Sequence, residues 1–139
     1  MIRELITDTD ILSLPCAKAT ADDAAVADDL LDTLAAHDDA AGLAANQIGK
    51  TVQIVAYLDD KDEPHVLFNP VVKRALYPFK AFESCLSRDD ESKVTRFERV
   101  QVAYEELRDG ALVARKAYFD GFPGQTIQHL IDHCNGKLV

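Results

Sequence analysis

A six-residue stretch near the end of the chain, Gln-His-Leu-Ile-Asp-His at positions 128–133, decides how the fold is interpreted. A helix turns by about 100° per residue, so His129 and His133 leave one face and both imidazoles can reach one ion. Pro123 suits the first turn of such a helix, and Asn135-Gly136 suits its end. The opposite face carries Ile127, Ile131 and Cys134. The stretch predicts a helix that packs one face on a core and holds a metal on the other. The spacing alone leaves an alternative open: the two histidines are four residues apart by chance, or they form a hydrogen-bonded pair on the surface.

The composition is that of an ordinary globular protein, with 139 residues, 47% hydrophobic and 28% charged, and we expect one domain spanning 1–139. The formal net charge of -9 argues against direct binding of nucleic acid. No apolar run approaches the ~20 residues of a membrane span, and the first residues lack a signal-peptide pattern. We therefore expect a cytoplasmic protein with no membrane partner.

The chain has three cysteines, Cys16, Cys85 and Cys134, an odd and sparse set that does not resemble a disulfide framework. Cys85 lies in a turn-like segment and is the best candidate for a third metal ligand, although a buried structural cysteine is the alternative. Two histidines and one cysteine would leave a fourth coordination position open, as catalytic metal sites do. An ion held in this way lowers the pKa of a water molecule toward neutrality.

The order of secondary-structure patterns predicts an α+β domain, with an N-terminal helix, antiparallel strands and a C-terminal metal-binding helix. Residues 1–19 form an extended or turning lead-in, and the apolar stripe of 20–36 predicts a helix. Arg108-Asp109-Gly110 is a hairpin turn signal, and 88–92 is expected to be a polar loop. The predicted strands are 51–58, 65–69, 71–76, 94–107 and 111–119.

Three separated segments together resemble the peptide deformylase family. Its first motif, glycine, apolar, glycine, apolar, Ala-Ala, any residue, Gln, corresponds to 40–47, which ends at Gln47. Its second, Glu-Gly-Cys-Leu-Ser, corresponds to 83–87, and its third, Gln-His-Glu-x-Asp-His, to 128–133. The order and separations of the motifs fit, and the resemblance covers nearly the whole chain.

The resemblance implies a site with one divalent metal ion. Its ligands would be Cys85, His129 and His133, holding Fe2+, which Zn2+ or Ni2+ could replace. Gln47 and the backbone N–H of Leu86 would form an oxyanion hole for the tetrahedral intermediate. Glu83 would help to fix its loop, with Arg96 as partner, and Asp132 is a candidate acceptor for a ligand imidazole.

Four positions depart from the family pattern. Ala40 and Asn46 replace a glycine and a proline in the first motif, and both changes are expected to be tolerated. Ser84 replaces the glycine beside the cysteine and is expected to narrow or reshape the cleft. Leu130 replaces the glutamate that, in the family, accepts a proton from the bound water and passes it to the leaving amine. Leucine can do neither, and it is expected either to extend the core face or to cover the metal pocket with hydrocarbon.

Two classes of function follow. The first is a peptide deformylase, a metal-dependent hydrolase that removes formyl from the N-terminal methionine of nascent polypeptides, with activity much reduced by Leu130. Its partners would be N-formyl-methionyl peptides and, through nascent chains, the ribosome. The second is a catalytically inactive metal-binding homologue that binds formyl-peptides or a partner. A third possibility is that Leu130 was introduced by engineering to trap a bound state.

Overall fold

Five antiparallel strands form the centre of the fold in the computed structural model, which describes residues 1–85 and 87–139, with the backbone alone for Arg88, Asp89 and Asp90. The strands are β1 (Gly42–Ala44), β2 (Ile54–Leu58), β3 (Pro64–Cys85), β4 (Arg88–Arg108) and β5 (Ala111–Asp120). The helices are α1 (Thr9–Leu12), α2 (Ala24–Ala35) and α3 (Gly121–Cys134), with short 3₁₀ turns at Ala21–Asp23 and Ala45–Ile48. The predicted α+β class, with helix, antiparallel strands and C-terminal helix in that order, is confirmed.

The strands lie side by side in their chain order, and each pairs with the next in antiparallel fashion. The predicted turn at Arg108-Asp109-Gly110 joins β4 to β5, and Asp109 and Gly110 have φ values of 51° and 80°. Positive φ at both central residues matches the twist of a tight hairpin, which is why an Asp-Gly pair occupies it.

The side chains of β1 and β2 alternate between two cores. Leu43, Ile54 and Ala56 pack on the α2 side, whereas Ala44, Val55 and Tyr57 pack on the α3 side. Successive residues of a strand point to opposite faces, so this short apolar part of the sheet can be covered by a helix on each face. Leu30 and Leu34 of α2 are buried in the first core, as the helical stripe predicts.

Helix α3 packs its apolar face into the second core. Ile127, Ile131 and Cys134 are buried there, opposite the two histidines, as predicted. Pro123 lies in the first turn, where its missing N–H costs no helical hydrogen bond, and the helix ends at Cys134, just before Asn135-Gly136. This packing fixes the rotation of α3 and therefore the direction of its opposite face.

The long hairpin of β3 and β4 differs from the sequence prediction. Residues 88–92 were expected to be a loop, but Arg88 pairs with Cys85 and Ser92 with Glu83 in the sheet. The predicted strands 65–69 and 71–76 are one strand, and Pro70 between them lies in β3 at the register shift between Phe68 and Val71. The lead-in contains the short helix α1, whose first turn is capped by the Asp8 side chain. None of the helices in the described part of the chain has the length and hydropathy of a membrane span.

Candidate metal centre

The three predicted ligand side chains converge at the meeting point of β3 and α3. Cys85 is the last residue of β3, and His129 and His133 lie one turn apart on α3. The Sγ atom of Cys85 lies 3.4 Å from Nε2 of His133, and the two Nε2 atoms lie 3.0 Å apart. Tetrahedral coordination with bonds of about 2.05 Å to nitrogen and about 2.3 Å to sulfur places ligand atoms about 3.3 to 3.6 Å apart. The distance from Cys85 to His133 falls in this range, the distance between the two imidazoles is slightly shorter, and all three residues offer ligand atoms within 4.8 Å of one another. The cluster is therefore close to the spacing of the ligands of one ion.

The thiol of Cys85 is in an environment that favours the thiolate. Burial would raise its pKa, but hydrogen bonding to His129 and His133 outweighs burial and lowers the pKa to about 6. The sulfur also accepts hydrogen bonds from Gln47 Nε2 at 3.2 Å and from the backbone N–H of Ser87 at 3.4 Å. A metal binds the thiolate rather than the thiol, so this environment suits a ligand.

His129 is oriented by a carboxylate. Its Nδ1 lies 2.8 Å from Oε1 of Glu83. An ionised carboxylate only accepts hydrogen bonds, so Nδ1 must carry the proton, which leaves the Nε2 lone pair directed at the site. Burial would raise the pKa of Glu83, but hydrogen bonds from His129, Arg96 and Gln125 outweigh it and lower the pKa to about 2. Glu83 is therefore a carboxylate that orients a ligand.

A buried arginine holds this carboxylate against α3. Arg96 donates to Glu83 at 2.7 Å and to Asp132 at 2.7 Å, so its guanidinium bridges β3 and α3. Burial would lower the pKa of Arg96, but its two carboxylate partners raise it. The predicted pairing of Glu83 with Arg96 is present. Asp132, which the sequence suggested as the acceptor for a ligand imidazole, is instead bound to Arg96, and Glu83 takes that place for His129.

Gln47 lies buried beside the sulfur. Its Oε1 accepts a hydrogen bond from the Ala44 N–H at 2.9 Å, which fixes the amide, and its Nε2 also donates to Ser87 Oγ at 3.3 Å. The amide nitrogen therefore lies next to Cys85, and Gln47 lines the cavity in front of the ligands. The second predicted donor, the backbone N–H of Leu86, lies outside the described residues.

Leu130 belongs both to the core and to the wall of the site. Its side chain is 2% exposed and packs in the second core, and it also lines the cavity beside the ligands. Its Cδ1 lies so close to Gly42 that a Cβ added there would be 2.7 Å away. Leu130 therefore combines the two placements predicted for it, since it extends the apolar face of α3 and contributes hydrocarbon to the metal pocket.

A cavity of about 550 Å³ opens in front of the ligands. Its wall includes Gln47, Cys85, His129 and Leu130, together with the exposed Ser84. Among the described residues, two carboxylates line it, Glu83 and Asp39. Glu83 is bound on both oxygens, and Asp39 is exposed to solvent.

Two polar residues support the site in roles that the sequence motifs did not predict. Gln125 Nε2 donates to Glu83 Oε2 at 2.8 Å, and Asn46 Nδ2 donates to the backbone oxygen of His133 at 2.9 Å. The sequence contained a signal for Gln125, which lies four residues before His129 and therefore on the same helix face. The contact of Asn46 joins residues 87 apart in the chain, so spacing could not indicate it.

Comparisons with known proteins agree with this arrangement. The family model of polypeptide deformylase matches residues 3–139. A peptide deformylase of Clostridium beijerinckii is 36% identical over 141 aligned positions that cover 100% of both chains. A K1U-bound class I type b peptide deformylase from Acinetobacter baumannii has a TM-score of 0.87 and 26% identity, covering 99% of this chain and 97% of that one. A Met-Ala-Ser-bound structure of the same protein has a TM-score of 0.86 and 24% identity, again covering 99% and 97%. The chain described here belongs to the peptide deformylase family.

Proposed function

We propose that this protein is a metal-dependent hydrolase that removes formyl from the N-terminal methionine of nascent polypeptides, with a turnover much reduced by Leu130. The observation that carries the proposal is the convergence of Cys85, His129 and His133 at one end of a cavity large enough for part of a peptide. The three ligand atoms lie within 4.8 Å of one another, and the donor set leaves a coordination position free.

The residues present fit one divalent ion, and we expect Fe2+, with Zn2+ or Ni2+ as replacements. One thiolate and two imidazoles are donors that suit all three metals. Bound there, the ion would supply Lewis-acid activation of a water molecule and of the formyl carbonyl. Cys85, His129 and His133 would hold it, and Glu83 would keep the His129 ring in the tautomer and orientation that binding requires.

Gln47 is the residue that would meet the formyl group. Its amide is fixed by the Ala44 N–H, so the side chain would stay in place when one of its contacts with Cys85 or Ser87 is exchanged for the formyl oxygen. The hydrogen bond that Nε2 now gives to the Cys85 sulfur places this donor beside the ligand cluster. Removal of one donor of this kind typically costs about 10² to 10³ in turnover.

We attribute the low turnover to the lack of a base at position 130. Leu130 occupies the place on α3 where the family has a glutamate, and hydrocarbon cannot move a proton. Glu83 cannot replace that glutamate, because a carboxylate with a pKa of about 2 and both oxygens occupied is a poor proton acceptor. Asp132 is engaged by Arg96. General acid–base catalysis is typically worth about 10² to 10⁴ in rate, which sets the scale of the loss.

The substrates would be N-formyl-methionyl peptides, reached on the ribosome as nascent chains in the cytoplasm. The related Acinetobacter baumannii deformylase is described with Met-Ala-Ser bound, a peptide of the product type, which supports this class of ligand. The formal net charge of -9 favours contact with the emerging peptide over contact with ribosomal RNA.

The test is the substitution Leu130→Glu, assayed with formyl-methionyl peptides on protein loaded with ferrous iron under anaerobic conditions. Turnover is expected to rise by about 10²-fold or more, because a carboxylate would be restored beside the ligands. Leu130→Gln is the matched control: it has the same length but cannot act as a base, so its turnover should stay near that of the natural chain. If the turnover of the natural chain already equals that of Leu130→Glu, the proposal that Leu130 reduces activity is wrong. If both are inert with metal bound, the proposed hydrolase is wrong, and the chain is better interpreted as a binding module.

A further inference from the structure

Two of the three cysteines lie against each other, away from the candidate metal centre. Cys16 is 7% exposed and Cys134 is 4% exposed, and both are free thiols. Their side chains are hydrogen-bonded to each other. The third cysteine, Cys85, belongs to the ligand cluster and takes no part in this contact. The candidate metal centre therefore gives no reason for a second pair of thiols.

The backbone holds Cys16 and Cys134 at the separation that a disulfide requires. The N–H of Cys16 donates to the carbonyl oxygen of Cys134 at 2.8 Å. Two residues joined by such a bond have Cα atoms about 5 to 6 Å apart, inside the range of about 4.4 to 6.8 Å that disulfides span. Cys16 is also held on its other side, because its carbonyl oxygen accepts from Gln53 Nε2 at 3.1 Å. A bond between the two sulfur atoms can therefore form without a large movement of the chain.

The pair joins segments that are far apart in sequence. Cys16 lies in the lead-in between α1 and α2, and Cys134 is the last residue of α3. A bond between them would close a loop that contains α2 and all five strands, and long loops give a disulfide its largest stabilising effect. Cys134 follows the candidate ligand His133 but packs in the second core, whereas His133 faces the cluster. The cross-link would therefore form on the side of α3 that the ion does not use.

A small oxidant has a short way to this pair. Cys16 lies just below the surface, because its neighbours in the chain, Pro15 and Ala17, are both exposed. The hydrogen bond from Cys134 lowers the pKa of the Cys16 thiol and outweighs burial, which would raise it. The thiolate is the reactive form of cysteine, so oxidation should begin at Cys16.

We propose that Cys16 and Cys134 are a reversible redox pair, in which a peroxide converts the two thiols into a disulfide that locks the lead-in onto the end of α3. The Cys16 sulfur attacks one oxygen of hydrogen peroxide, the O–O bond breaks, and Cys16 becomes a sulfenic acid as one water leaves. The Cys134 sulfur then displaces the hydroxyl group, which leaves as a second water with the Cys134 proton, and the S–S bond forms. A dithiol reductant restores both thiols. The inference is independent of the proposed function, because neither step involves a peptide or the ligand cluster.

The test treats the natural chain, loaded with zinc so that Cys85 is held as a ligand, with a few equivalents of hydrogen peroxide. Free thiols, counted after unfolding in guanidinium with a chelator, should fall from three to one. Peptide mapping without reductant should link Cys16 to Cys134. The thermal unfolding midpoint should rise by about 5 to 15 °C, and dithiothreitol should reverse both the cross-link and the rise. The zinc content should not change.

Cys16→Ala and Cys134→Ala are the matched variants, and each should lose the rise in midpoint that peroxide causes. Persistence of all three thiols in the natural chain overturns the inference, as does a disulfide that includes Cys85. Conversion of Cys16 to a sulfinic acid without a cross-link also overturns it. A disulfide between Cys16 and Cys134 that leaves the midpoint unchanged contradicts the lock. The thiol count uses only the natural chain, so it does not depend on the folding of any variant.

Discussion

Leu130 and Gly42 are packed so closely that no side chain fits between them: a Cβ added at Gly42 would lie 2.7 Å from Leu130 Cδ1. The contact joins α3 to β1, and it places Leu130 against the segment 40–47. The glycine is required here by close approach rather than by an unusual φ angle.

Gly42→Ala is therefore expected to destabilise the fold by about 1 to 3 kcal/mol, through overpacking. The added methyl would also meet the backbone oxygen of Ala56 at 2.8 Å, which cannot rotate away. Leu130→Ala alone should cost about 2 to 4 kcal/mol through the cavity it leaves. The double variant should cost less than the sum, because truncating Leu130 relieves part of the clash. Urea unfolding of the four proteins measures all three values, and strict additivity would contradict the contact.

Cys85→Ala should abolish stoichiometric metal binding, because it removes one of three converging ligand atoms. The natural chain should carry one ion per molecule, measured by elemental analysis after dialysis against a weak chelator. Cys16→Ala is the control: Cys16 is also a free cysteine, but it is buried elsewhere, with its backbone N–H bonded to the Cys134 carbonyl oxygen. Retention of one ion by Cys85→Ala would show that the ligand set is wrong.

Gln47→Ala should weaken binding of a hydroxamate inhibitor, because such a ligand presents an oxygen where the formyl oxygen would lie. In a Leu130→Glu background, where turnover is expected to be measurable, the same change should lower kcat by about 10² to 10³. Gln53→Ala is the control. It removes another glutamine, whose amide donates to the Cys16 carbonyl oxygen, and it should change neither inhibitor binding nor kcat. Unchanged inhibitor binding by Gln47→Ala would mean that this amide serves only to brace Cys85 and Ser87.

Arg96→Met should destabilise the protein by about 3 to 5 kcal/mol, because it leaves the carboxylates of Glu83 and Asp132 without their buried partner. The comparison is Arg115→Met, which breaks an ion pair with Glu106. The Arg115 side chain is more than a third exposed, so this substitution should destabilise the protein by less than about 1 kcal/mol. Metal affinity should also fall, by about 10- to 100-fold, since Glu83 would hold His129 less firmly. Equal unfolding midpoints for the two variants would refute the bridging role of Arg96.

Local patterns predicted the parts of the fold whose causes are local. The face of α3 that carries Ile127 and Ile131, the start near Pro123, and the Asp109-Gly110 turn all follow from periodicity, capping and φ preferences, and all are present. The three motifs placed Cys85 on a different element from the histidines, and the fold brings them together.

Other features depend on partners that are distant in the chain. Residues 88–92 are polar enough to indicate a loop, but their pairing with the end of β3 makes them strand. Helix α1 is only four residues long, too short for a periodic pattern to reveal it. Asp132 was a candidate acceptor for a ligand imidazole. Its carboxylate is instead bound by Arg96, 36 residues away, a pairing that sequence spacing does not indicate.

The bridge from Glu83 through Arg96 to Asp132 has a consequence for the exchange of the ion. These three side chains join β3 to α3 by contacts that involve no metal, so the two elements should keep their relative positions when the ion leaves. Departure of the ion is then a local event, and a second ion enters ligands that are already in position and does not have to reorganise the chain. We therefore expect ferrous iron, zinc and nickel to replace one another at a rate set by ligand dissociation, with native sheet and helix signals retained throughout the swap.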